Sequence, residues 1–282
     1  MAIRTDLALE AASGDILCEG IVRKERGEAF KITEITITDD KSGDSIGKKK
    51  GIYVTLEGDT LSTVNDRYQI MTEELADELK KFIGEKGRVL VVGLGNDDIT
   101  PDALGPYAAG GVMATRHFKT ELADDEFLSS LREVSVLVSG VLGTTGIESA
   151  EIVKAVSKEI SFDKIIVIDA LACSDISRLG KTIQISSAGI SPGSGVQNRR
   201  KELSFDTLGV PVIAIGVPTV IDMHTVYENI TGKEPENTMP DMMVTPKDID
   251  TIISGASKMI AAALNLALQS VLSFEEAIEL AH

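Results

Sequence analysis

The sequence predicts an α/β protein: a mostly parallel central sheet with helices on both faces, plus N-terminal antiparallel strands. Three observations predict it. Four short runs of β-branched residues recur through the middle of the chain, helical stretches lie between them, and the first eighty residues show apolar–polar alternation instead.

In the N-terminal part, "FKITEITITDD" from Phe30 alternates with period two, as a strand with one covered face must. "KKKGIYVTLEG" from Lys48 predicts a second such strand after a Gly- and Lys-rich turn. "NDRYQIMTEELADELKKFIGEKG" then predicts a helix that stops at a glycine, Gly84 or Gly87. The four central runs are "RVLVVGLG" from Arg88, "VSVLVSGVLG" from Val134, "KIIVIDALA" from Lys164 and "VPVIAIGVP" from Val210. Each is almost continuously apolar, the mark of a strand covered on both faces. "ALGPYAAGGVMATRHF" and "GIESAEIVKAVSKEI" predict the helices after the first two. From Asp222 to Val244 the chain is polar, carries Pro235 and Pro240, and reads as a loop. "TPKDIDTIISGASKMIAAALNLALQSVL" predicts a long amphipathic helix with Pro246 in its first turn. No repeat, low-complexity tract or linker interrupts the chain, so residues 7–282 are expected to form one domain.

Composition narrows the function. With 44 acidic against 28 basic residues the net charge is -16, which argues against a protein gripping nucleic-acid phosphates. Such a charge suits a basic or neutral protein partner, or solubility alone. Two cysteines, Cys18 and Cys173, imply no disulfide framework and a reducing cytoplasm. The N-terminus lacks the apolar core of a signal peptide, and "MIAAALNLAL" from Met259 is too short and interrupted to span a bilayer. A soluble, intracellular protein is expected.

In open α/β sheets the chemistry gathers beyond the carboxyl ends of the strands. The loop "GNDDITPDALG" and Asp169, at the end of "KIIVID", both point there. Two carboxyls about 4 Å apart repel by roughly 4 kcal/mol at an effective dielectric of about 20, or about three pKa units. One would keep its proton and act as general acid while the other acts as general base. The plainer alternative is that Asp102 caps a helix starting at Ala103 and Asp169 caps a strand. Other chemistries fit less well. Asp98 stands where a dinucleotide loop needs its third glycine, and no Walker loop is present. A serine or cysteine nucleophile would need His117, His224 or His282, of which only His224 lies near a strand's working end. Asp102, Asp169 and His224 form a weak candidate set for a divalent cation. Cys173 reads as a buried packing residue. In "SSAGISPGSGVQNRRKELS", "NRRKE" predicts a helix start at which Arg199 and Arg200 suit a substrate carboxylate, or else a solvated basic turn.

Taken together, "RTDLALEA", "GLGNDDITPDALGP", "TTGIES", "IDALA", "ISPGSGVQNRRKE", "LGVPVIAIGVPTVID" and "MVTPKDID", in that order from residue 4 to about 268, resemble the germination protease family of spore endopeptidases. The resemblance implies an atypical aspartic protease, related to hydrogenase-maturation proteases, that degrades small acid-soluble spore proteins at germination. It implies essential aspartates at Asp102 and Asp169, no cofactor or metal, no direct nucleic-acid or membrane partner, and a homotetramer in the spore cytoplasm. It also implies a zymogen: residues 1–6 are a leader removed by self-cleavage between Asp6 and Leu7, where an acid precedes an aliphatic–alanine pair, with Arg199 or Arg200 receiving the acid. Longer members carry extra residues between the "PTVID" and "MVTPKD" segments. Two other readings stay open: a metal-dependent enzyme of the hydrogenase-maturation kind, and a non-catalytic binding module.

Overall fold

The structure, a computed structural model, describes residues 5–12, 20–61, 67–121, 125–193, 200–235 and 239–281. Nine strands make one sheet in the order β1-β2-β3-β7-β8-β6-β4-β5, with β9 paired to β8. In chain order these strands are β1 (Ile21–Arg26), β2 (Lys31–Ile37), β3 (Gly51–Glu57), β4 (Val89–Gly93), β5 (Val134–Val138), β6 (Lys164–Cys173), β7 (Thr182–Ser186), β8 (Val212–Asp222) and β9 (Met243–Val244). The β8-β6-β4-β5 part is parallel, and β1, β2, β3 and β7 join antiparallel.

The helices are α1 (Ala8–Ala11), α2 (Asp40–Ile46), α3 (Tyr68–Ile83), α4 (Leu104–Gly110), α5 (Phe118–Glu121), α6 (Glu126–Ser130), α7 (Leu142–Thr145), α8 (Ser149–Glu159), α9 (Phe205–Leu208), α10 (Met223–Thr231), α11 (Ile249–Leu268) and α12 (Phe274–Leu280). Because side chains alternate across a strand, each central run feeds two cores. Val89, Val91, Ile166 and Ile168 pack with α3, α4, α11 and α12. Leu90, Val92, Ile165 and Val167 pack on the opposite face with Ala150 and Val153 of α8. That two-sided burial is why those runs are continuously apolar. The edge strand β5 is the exception, and its Val138 is exposed.

Several elements differ from expectation. β1 ("IVRKER") is mostly exposed and charged, an edge strand whose charges blunt further pairing and which therefore carries no apolar alternation. The helix after β4 is shorter than predicted, ending at Gly110–Gly111. Within the expected loop, Asp222 starts α10 by accepting from the His224 and Thr225 amides. Pro246 lies outside α11, its carbonyl closing a turn onto the Ile249 amide. By length and composition α11 is long and apolar enough to cross a membrane; its apolar residues are instead core, buried against α3, α4 and α12.

Candidate active site

β4 and β6 are hydrogen-bonded neighbours in register Gly93↔Ile168. β4 stops there, while β6 runs on through Asp169 to Cys173, so Asp169 sits within its strand and does not cap it. The chain leaving β4 keeps one more bond, Leu94 N–H to Ile168 C=O at 2.9 Å, and then turns. The turn is built by its own polar groups. Asn96 Oδ1 accepts from the Asp98 amide at 3.0 Å, and Asp102 Oδ2 accepts from the Asn96 amide at 2.8 Å. Asp102 therefore closes its loop rather than capping α4, whose N-cap, Ala103, has no side-chain bond.

The glycines of this motif serve close approach. A Cβ on Gly105 would stand 2.2 Å from Leu94 O and 2.5 Å from Ile168 O, so the start of α4 seats directly on β4 and β6. At Gly95 (φ 113°) a Cβ would fall 2.0 Å from Asp102 O. The acidic turn is thereby pressed against the end of the sheet. Of its three acids Asp97 and Asp98 are exposed, and Asp102 turns inward.

Asp102 and Asp169 line one cavity of about 460 Å³, which Asp6, Glu148, Arg200 and Thr219 also line. Burial, then the charges of Asp102 and Asp6, hold the Asp169 carboxyl well above the usual aspartate value, against one bond from the Ala170 amide. Asp102 is also raised, by burial, with the Asn96 amide opposing. A pair of this kind holds a proton where two isolated aspartates would hold none.

Asp6 reaches the cavity because the segment around it is docked. Its amide donates to Ala172 O at 2.9 Å, and its Oδ2 accepts from Ala172 N–H at 2.9 Å. Leu7 is fully buried with Leu171, Cys173 and Ile221. Glu10 is buried and accepts from Ser174 N–H (2.7 Å), Ser174 Oγ (2.8 Å) and Asp175 N–H (3.1 Å), with Arg178 Nη1 at 3.3 Å. The Asp6 carbonyl oxygen accepts from Lys48 Nζ at 2.8 Å and from Gln184 Nε2 at 3.1 Å.

Other sequence candidates fare differently. Arg200 lines the cavity, while Arg199 lies outside the described residues. The predicted helix at "NRRKE" is absent over residues 200–202, where Arg200 N–H bonds Pro192 O and Ile190 bridges Leu203; the next helix is α9. His224 is not brought to Asp102 and Asp169. Its ligand atoms group instead with Asp222 and Asp241, within 4.8 Å of one another. His117 stacks edge-on against Phe118 at 4.4 Å. Cys173 is buried with its thiol pushed up to about 12, chiefly by burial; Cys18 and His282 lie outside the described residues. Sequence reasoning missed Lys48, hidden in a lysine run that reads as a turn. It also missed Gln184, one of three polar residues, with Thr182 and Ser186, in the short strand β7.

The family model described as germination protease matches residues 6–231. The germination protease of Clostridium tetani (strain Massachusetts / E88) is 40% identical over 98% of this chain and 98% of its own. That of Priestia megaterium (strain ATCC 12872 / QMB1551) is 46% identical over 78% of this chain and 64% of its own. Among solved structures, the [NiFe] hydrogenase maturation protease HycI of Thermococcus kodakarensis KOD1 covers 67% of this chain and 98% of its own, with TM-score 0.38 and 16% identity. With these relatives, the chain is a protease. The chain belongs to the germination protease family.

Proposed function

We propose that the protein is a self-activating endopeptidase that hydrolyses peptide bonds after an acidic residue, with Asp102 and Asp169 sharing one proton and activating water. One observation carries this reading: two carboxyls, one within β6 and one in the turn after β4, both raised in pKa, line the same cavity as Asp6. The ionised member takes a proton from water as it attacks the carbonyl. The protonated member delivers its proton to the departing nitrogen. Residues 1–6 are the leader, cut off at Asp6–Leu7. The acid before the bond is selected by the Ala172 N–H, which holds the Asp6 carboxylate at 2.9 Å, and Arg200 adds positive charge to the same cavity. Family resemblance supports small acid-soluble spore proteins as substrates, the spore cytoplasm as the place of action and a homotetramer as the assembly.

The test is the intact mass of the full chain before and after incubation at mildly acidic pH, where the pair holds one proton. Loss of residues 1–6 is the expected result. An unchanged mass in every buffer from pH 4 to 8 would sink the proposal.

A further inference from the structure

Resting on the reading that Asp6–Leu7 is the bond cut, we propose that Lys48 and Gln184 are catalytic residues that hold the carbonyl oxygen of that bond and stabilise it as it becomes an oxyanion. The geometry is specific to this peptide. Lys48 Nζ donates to Asp6 O at 2.8 Å and to the preceding carbonyl, Thr5 O, at 3.2 Å. Gln184 spans the bond: its Nε2 donates to Asp6 O at 3.1 Å, and its Oε1 accepts from the Ala8 amide at 2.7 Å. Both donors thus meet the one oxygen that gains charge on attack, at the distances such donors need.

The surroundings fit the role. Asp6 lies between two cavities, the one lined by Asp102 and Asp169 and a second of about 530 Å³ lined by Lys48 and Gln184. Gln184 is buried and fixed in β7, whose neighbours β3 and β8 pair with it across Thr55 and Gly216. The ammonium of Lys48 is pushed below the usual lysine value by burial, with the carboxylates of Asp6 and Glu10 pulling it back. A poorly hydrated cation has most to gain when negative charge appears on an oxygen it already touches.

The step balances. Water oxygen adds to the Asp6 carbonyl carbon and gives a proton to the ionised aspartate, and the carbonyl π pair moves onto the oxygen held by Lys48 and Gln184. Collapse restores the C=O and breaks the bond to Leu7 nitrogen. That nitrogen takes the proton of the other carboxyl, leaving a new carboxyl terminus at Asp6 and an amine at Leu7.

The test uses the full-length chain and two readouts. One is the first-order rate of self-cleavage by intact mass. The other is hydrogen exchange at the Ala8 and Ala172 amides, measured in an uncut Asp169→Asn background, which reports whether the segment stays docked. Lys48→Met is expected to slow cleavage roughly 100-fold or more while both amides stay protected, with Lys48→Arg recovering part of the rate. Gln184→Glu, which keeps the acceptor toward Ala8 and loses the donor toward Asp6, is expected to do the same and carries the test if Lys48→Met does not fold. Cleavage within threefold of the unsubstituted chain would overturn the inference. So would slow cleavage with protection lost, since Lys48 would then merely seat the segment. If the unsubstituted chain is never cut at Asp6–Leu7, the underlying reading fails first and takes this one with it.

Discussion

The two halves of the sheet handle polar groups in opposite ways. In the parallel half the buried strand residues are apolar up to the level where β4 ends, beyond which Asp169 of β6 and the loop bearing Asp102 meet with few donors around them. In the antiparallel half and the segment docked beside it, buried polar groups are plentiful, and those that touch the docked segment are paired: Glu10 takes three donors from Ser174 and Asp175 as well as Arg178, and Gln184 binds the chain on both sides of Leu7. The lesson is a division of labour. Under-solvated carboxyls hold a proton that ordinary aspartates would lose, and hydrogen-bonded polar groups hold a peptide in place.

The largest effect should come from breaking the carboxyl pair. Asp102→Asn or Asp169→Asn is expected to slow self-cleavage by about 10²- to 10⁴-fold, read by intact mass, with the circular dichroism spectrum unchanged. A single variant retaining full activity would place the chemistry elsewhere. On the holding side, Glu10→Ala leaves buried donors of Ser174 and Asp175 without their acceptor while Arg178 keeps Glu57 and Asp175. It should cost about 3 kcal/mol in chemical denaturation, whereas a loss below about 0.5 kcal/mol would show that the docked segment contributes little to the fold.

Gly105→Ala tests how closely the acidic turn must seat, and overpacking against Leu94 O and Ile168 O should cost about 2 kcal/mol and slow cleavage as Asp102 shifts. A smaller effect is expected from the pH profile of stability. Because the folded state raises the Asp169 pKa above its ordinary 3.8, its contribution is present below that value and is lost as pH rises through the folded one. Asp169→Asn should therefore match the parent in Tm near pH 3 and exceed it at pH 7. Equal Tm at both would mean the carboxyl is not disfavoured by its surroundings. Last, a strong chelator should leave the self-cleavage rate unchanged. A loss restored by added divalent cation would transfer the proton work to a metal-bound water.

How far these regions could be read from the chain differs with the reach of the forces involved. The two-face burial of β4, β6 and β8 imposes nearly continuous apolar runs, and the Gly84 cap marks the end of α3, so both were legible. β1 was not, because an edge strand of charged residues has no core to write a pattern. α10 was missed because its start depends on the side chain of Asp222, whereas α11 was legible as a long amphipathic helix and only its start was misplaced, falling after Pro246. At the site, Asp102 and Asp169 stood out because strand ends gather chemistry. Lys48 and Gln184 did not, because nothing local distinguishes them.

The amino-acid order alone determined the alternation of strands and helices, the burial of the central strands and the crowding of acids after β4, since each follows from neighbours a few residues apart. Only the tertiary structure decided which acid turns inward, that β6 outruns β4, and that Lys48 and Gln184 meet the Asp6 carbonyl from positions 42 and 178 residues away. Those are outcomes of packing between distant segments, where a change of one strand register would send the same side chains to other surfaces.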